Sequence, residues 1–131
     1  MILDTSAVLA VLFKEEEATT FASLITKEAY VGITTSSLVE TGIVVGHQLG
    51  FQTNILTRFL QAADIRVIPF TEQHWFEAVR AYERFGKGRH PAKLNLGDCF
   101  TYAVAKFSKH PLLCKGNDFA QTDLTLVNYE T

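Results

Sequence analysis

Short runs of apolar and β-branched residues alternate along this chain with longer stretches of helical periodicity, and that alternation limits the folds open to it. The short runs are Met1–Leu3, Tyr30–Thr34, Ile65–Phe70, Leu112–Lys115 and Leu124–Val127. Between the first two lie a predicted helix capped by Thr5 or Ser6 and running through Phe13, then one from about Glu16 to Thr26. Thr35, Ser36 and Ser37 open a third helix through His47, and Phe51–Ala63 is expected to form a fourth. Thr71 starts a long helix through Phe85, and Asn95 caps a last one from Leu96 to about Lys109, stopped by Pro111. Strands separated by helices join through right-handed crossovers into a mostly parallel sheet covered on both faces. The expected fold is therefore α/β, a three-layer α/β/α sandwich, and 131 residues without linker or repeat make it one domain spanning 1–131.

Hydrophobic residues at 47% and charged residues at 20% exclude a disordered chain, and a formal net charge of −2 excludes a globally basic coat for nucleic acid. Cys99 and Cys114 lack metal-ligand spacing to each other or to His47, His74, His90 and His110. They read as buried, reduced thiols, and zinc is set aside. The apolar N-terminus carries Asp4 and no preceding basic residue, a poor signal peptide, and no uncharged run is long enough to span a bilayer. A soluble, cytoplasmic protein with no membrane partner is expected.

Four acids stand out by position. Asp4 follows the first strand directly, Glu40 lies early in the helix after Tyr30–Thr34, Asp98 lies in the first turn after Asn95, and Asp118 lies just beyond Leu112–Lys115. Each has an ordinary explanation when taken singly. Asp98 opposes a helix dipole, Glu40 is spaced for a capping box with Ser37, and Asp118 suits an Asx turn. Asp4 is the hardest to dismiss, because a carboxylate that breaks an apolar strand needs a partner. In a parallel sheet, strand ends and the starts of following helices share one edge, where ligands bind. Four acids on that edge repel one another, and the usual compensation is a divalent cation. All-oxygen ligation favours Mg2+ or Mn2+ over zinc, and such an ion suits phosphodiester hydrolysis by activated water.

The stretches Met1-Ile2-Leu3-Asp4-Thr5-Ser6-Ala7, Ser36-Ser37-Leu38-Val39-Glu40, Leu94-Asn95-Leu96-Gly97-Asp98-Cys99-Phe100-Thr101-Tyr102-Ala103 and Leu112-Leu113-Cys114-Lys115-Gly116-Asn117-Asp118-Phe119 occur in that order. With them the chain resembles PIN-domain proteins of the VapC toxin type, ribonuclease partners in type II toxin–antitoxin pairs. The resemblance implies an endoribonuclease that leaves 5′-phosphate and 3′-hydroxyl ends. It implies that Asp4, Glu40, Asp98 and Asp118 surround one or two such ions, with Thr5 or Ser6 orienting water or substrate. It also implies a homodimer, an RNA substrate and a cognate antitoxin covering the acidic pocket. Asn117 stands where relatives often carry another acid. Asp118 is preferred as the fourth acid because it precedes Phe119, and Asp123 is the alternative.

Arg80, Arg84, Lys87, Arg89 and Lys93 concentrate positive charge just before the Asp98 helix, in and beside the glycine-containing segment 86–93. Lys87, Arg89 and Lys93 are the candidate RNA contacts, although a solvated basic loop needs no ligand. Phe21, Phe59, Trp75 and Phe107 fit helical core stripes, and Tyr82 and Phe85 lie near the basic loop. The Thr20–Ile25 and Phe51–Phe59 faces carry more apolar residues than one surface needs, which suits a protein partner. Two other readings are a catalytically weak PIN-like module that binds RNA or protein, and a haloacid-dehalogenase-type phosphatase with Asp4 as nucleophile. The phosphatase pattern needs a second aspartate two residues on, where this chain has Ser6.

Overall fold

In the computed structural model, which describes residues 1–129, four strands and six helices follow one another as the alternation predicts. The strands are β1 (Ile2–Leu3), β2 (Gly32–Thr34), β3 (Arg66–Ile68) and β4 (Leu112–Leu113). The helices are α1 (Thr5–Leu12), α2 (Ala18–Lys27), α3 (Thr35–Leu49), α4 (Ile55–Ala62), α5 (Glu72–Phe85) and α6 (Leu96–Ser108). The sheet order is β3-β2-β1-β4, and every neighbouring pair is parallel.

Successive residues of a strand point to opposite faces, and two-residue strands suffice to build both layers here. Ile2 and Leu112 enter a core with Ala78, Ala81, Tyr102 and Val104 from α5 and α6. Leu3, Leu113 and Ile33 enter a second core with Ala7, Val8, Phe21 and Ile25 from α1 and α2. Burying one such Leu or Ile contributes about 2 kcal/mol. The chain moves outward from β1 to β2 to β3 and then returns to place β4 on the other side of β1. The carboxyl ends of β1 and β4 therefore flank the topological switch point, where open α/β sheets form their crevice.

Several boundaries differ from the sequence expectation. Leu124–Val127 is not a ladder strand. It makes one parallel bridge, Leu112 to Leu126, with Leu112 N–H donating to Thr125 O and Val127 N–H to Leu112 O. The helix expected over Phe51–Ala63 starts only at Ile55, because Phe51 folds back onto α3, its ring over Gly46 where a side chain would clash with it. The second helix begins at Ala18, after Glu16 and Glu17 have made a turn. The cap of α1 is Asp4 itself, in place of Thr5 or Ser6, and Ser37 lies inside α3, so it forms no capping box with Glu40.

Phe21 is buried and Phe59 packs against the α1/α2 core, but Trp75 and Phe107 are 51% and 55% exposed. The residues of α5 that meet α6 are smaller, Ala78 and Ala81, with His74 and Phe85 at the ends. Phe21 and Ile25 are likewise spent in the core, so the Thr20–Ile25 face keeps little apolar surface. Phe51 and Ile55 stay exposed, and a further apolar groove lies where Trp75, Val79, Tyr82 and Leu96 surround Phe70 and Phe100. Among the described residues no helix is long and apolar enough to cross a membrane.

Candidate active site

The backbone of Asp4 extends the β1 ladder by one step, its N–H donating to Leu113 O (3.0 Å), while its side chain turns to cap α1. Asp4 Oδ2 accepts from the N–H of Ser6 (3.1 Å) and from Ser6 Oγ (2.6 Å). Oδ1 accepts from Thr101 Oγ1 (2.8 Å), a buried contact with α6. Three donors thus hold a carboxylate that has about four acceptor positions, leaving room for one more partner. Ser6 Oγ also accepts from the N–H of Lys115 (2.9 Å), tying the exit of β4 to the start of α1.

Asp98 is set by a reciprocal cap at the start of α6. Its N–H donates to Asn95 Oδ1 (2.9 Å), and its Oδ2 accepts from Asn95 N–H (3.1 Å). Burial pushes the Asp98 carboxyl up to about 7, and the negative charges of Asp4, Asp118 and Glu40 add to the rise against the lowering effect of the Asn95 hydrogen bond. Four acids distant in sequence therefore share one field at the switch point. Asp4 and Asp98 form its buried floor, 7% and 8% exposed, and Glu40 and Asp118 stand at its open rim. Glu40 lies over the backbone of Gly97, so close that a β-carbon there would clash with Oε2 and lie 3.0 Å from Cδ. Phe119 is buried in the α5/α6 core and anchors the loop that carries Asp118.

The acids face a common space without closing on it. Among the described residues, no three His, Cys, Asp or Glu side chains already form an ion-gripping cluster. Cys114 and Cys99 are free and buried, as expected. Burial, reinforced by the neighbouring aspartates, raises Cys114 to about 12, and burial with Asp98 raises Cys99 to about 11. Both thiols stay protonated at neutral pH, which leaves neither activated as a nucleophile.

The structure separates the paired candidates. Thr5 is turned away from the acids, its hydroxyl donating to Ser37 O (3.2 Å) beside Thr41, whereas Ser6 is in direct contact with Asp4. Asp123 belongs to another cluster, where it accepts from Tyr102 Oη (2.5 Å) and Lys106 Nζ (2.7 Å) and pairs with Arg84 at 3.5 Å. These cations lower its pKa despite partial burial, and it is absent from the charges acting on Asp98. Asp118 adds its charge to the field on Asp98, and Asp123 fastens the C-terminal segment to α5 and α6.

Lys87, Arg89 and Lys93 are exposed on a loop closed by a bridge between Gly86 and Leu94, with no carboxylate within 4 Å of their charges among the described residues. Arg84 of the same strip is occupied by Asp123. Lys115, nearest the site in sequence, is likewise engaged by Glu15 (2.9 Å) and Glu17 (3.4 Å). Thr101 was not singled out from the sequence. The signal was its place three residues after Asp98, which puts both on one side of α6.

A parallel sheet with an acid-lined crevice at its switch point defines an α/β protein built to bind there, and the family described as PIN domain matches residues 1–124. Among the relatives, "Ribonuclease VapC" of Mycolicibacterium smegmatis is 38% identical over 98% of this chain and 100% of its own length. "Ribonuclease VapC28" of Mycobacterium tuberculosis is 40% identical over 93% of each. The chain belongs to the VapC group of the PIN-domain family. Its fold matches that of Mycobacterium tuberculosis VapC20, described as a sarcin–ricin loop cleaving toxin, with a TM-score of 0.78 at 18% identity over 97% of this chain and 98% of that one. It also matches a toxin–antitoxin complex from Klebsiella pneumoniae, with a TM-score of 0.73 at 18% identity over 99% and 98%.

Proposed function

We propose that this chain is the endoribonuclease toxin of a toxin–antitoxin pair, hydrolysing RNA phosphodiesters at Asp4, Glu40, Asp98 and Asp118 with one or two bound Mg2+ or Mn2+ ions. The observation that carries this reading is the convergence of three acids on the buried Asp98, whose carboxyl is driven up to about 7. The donor set fits a hard divalent cation, since it offers carboxylate oxygens and neither imidazole nor thiolate. Such an ion, when bound, lowers the pKa of water and offsets charge developing on phosphoryl oxygens.

The chain's own groups do the positioning. Ser6 and Thr101 hold Asp4 from two sides, Asn95 fixes Asp98, and Glu40 rests on Gly97. Ser6 is the hydroxyl placed to orient water or substrate, and Thr5 supports it by fastening α1 to α3. Among the described residues no histidine joins the acids. Burial and the neighbouring acids raise the Asp98 carboxyl, which suits it to exchange its proton for a cation. Cognate antitoxin and a second copy of the chain are the protein partners of this reading, and the apolar groove at Trp75, Val79 and Leu96 gives them surface to cover.

Purified protein incubated with single-stranded and structured RNAs should cut only when Mg2+ or Mn2+ is present. Mapping the ends with and without EDTA checks this, and undiminished cleavage in EDTA overturns the metal-dependent mechanism. Replacing Lys87, Arg89 and Lys93 together by Gln should raise KM about tenfold at low salt and leave kcat within a few-fold. The slope of log affinity against log salt should flatten by about 2 if each cation meets one phosphate of a single strand. An unchanged slope removes the loop from the RNA path.

A further inference from the structure

Five side chains form a buried polar seam between the helices that carry the acids. Thr101 Oγ1 lies 2.8 Å from Asp4 Oδ1 and 3.1 Å from Ser37 Oγ, and Thr101 and Ser37 are each only 1% exposed. A carboxylate accepts and cannot donate, so the single Thr101 proton points at Asp4 and the Ser37 hydroxyl must donate to Thr101. On the far side, the hydroxyls of Thr41 (2.7 Å) and Thr5 (3.2 Å) both donate to the carbonyl of Ser37. Asp4, at the end of β1, is thereby joined through α6 to α3, the helix that carries Glu40. All five residues of the seam are buried, where an unpartnered hydroxyl would carry a desolvation penalty of about 1–3 kcal/mol.

We propose that Thr101 is a positioning residue for the site: its hydroxyl, oriented by Ser37, fixes the rotation of the Asp4 carboxylate so that the remaining lone pair of Oδ1 faces the acid-lined space. This inference rests on the proposed divalent-cation reading of Asp4. Ser6 restrains the carboxylate through Oδ2 alone; Thr101 holds the other oxygen, Oδ1, and so sets which of its lone pairs stays open. Thr101 also stands one helical turn after Asp98, so the element that supplies one acid steers the other. Partners of this kind in metal sites are typically worth 10- to 100-fold in metal affinity.

The test is the Mn2+ affinity of the full chain, read by calorimetry and by the resonance of free Mn2+, alongside thermal melting. Thr101→Val keeps the shape and removes the hydroxyl, and should weaken Mn2+ binding roughly 10- to 100-fold. Thr101→Ser restores the hydroxyl and should stay within about threefold of the parent. Cleavage by Thr101→Val should recover toward the parental rate as Mn2+ is raised, a response that loss of packing alone would not give. Thr101→Ala takes the place of Thr101→Val should the latter fail to fold. Parental affinity in a folded variant lacking the hydroxyl overturns the proposal, and so does an equal loss in Thr101→Ser. Asp4→Asn is the control that separates the two readings. If it loses Mn2+ while Thr101→Val does not, only the role of Thr101 falls; if it binds Mn2+ as the parent does, the cation reading of Asp4 fails and the role of Thr101 goes with it.

Discussion

Replacing Asp98 by Asn should reduce metal-dependent RNA cleavage by about a hundredfold or more while raising the melting temperature of the protein in EDTA. The two effects have one origin. Asp98 is buried among three other acids, and its carboxyl titrates near 7 in the folded chain against 3.8 in its ordinary state. A carboxyl raised in this way favours the folded state below pH 4, and that contribution is lost as pH rises from about 4 through about 7. The metal-free parent should therefore lose stability across that window, on the order of 4 kcal/mol at the limit. Asn cannot ionise, so the variant should show none of that loss. Its amide oxygen still accepts the Asn95 N–H that Asp98 Oδ2 accepts, so the cap on α6 survives. Melting curves in EDTA at pH 4.5 and 8, with and without added Mn2+, check the prediction. Full cleavage by a folded Asp98→Asn protein would sink the assignment of this acid.

Gly97→Ala should leave the protein as stable as the parent, or slightly more so, and still lower kcat/KM about 10- to 100-fold. Alanine is the better helix former by about 1 kcal/mol. Its β-carbon, however, lands on the carboxylate of Glu40, and the only group able to yield is that exposed side chain. The displacement falls on one acid of the site and on nothing in the core. A shift of about 1 Å in a reacting group can cost a hundredfold in rate. Steady-state cleavage and melting on the same preparation distinguish this from general damage. Parental activity would show that Glu40 has no fixed post over α6.

The four acids were legible because each sits where a short apolar run or a cap signal ends, and parallel crossovers bring such ends together. The choice between neighbours was not. Thr5 and Ser6 differ by one residue, and only the turn into α1 decides that Ser6 faces Asp4 and Thr5 faces Ser37. Asp118 and Asp123 lie in one polar stretch, and what separates them is the company they keep, Asp98 for one and Arg84, Lys106 and Tyr102 for the other. Trp75 was misread for a different reason. α5 carries two apolar stripes at helical spacing, one of His74, Ala78, Ala81 and Phe85 and one of Trp75, Val79 and Tyr82. Periodicity finds both, but close approach of α6 selects the stripe with small residues. The last strand shrank to one bridge at Leu112, because Asp123 and the side chains of Leu124, Leu126 and Val127 hold the segment without a ladder.

The brevity of β1 has a consequence for how this chain tolerates changes in length. Ile2 and Leu3 are the whole of β1 and enter different cores, and Asp4 is the next residue along the same ladder. Deleting or inserting one amino acid within this stretch would exchange the cores' contents and carry the aspartate off the crevice in a single stroke. The loop from Lys87 to Lys93 bears no such constraint, so indels should accumulate there and be purged at the other end.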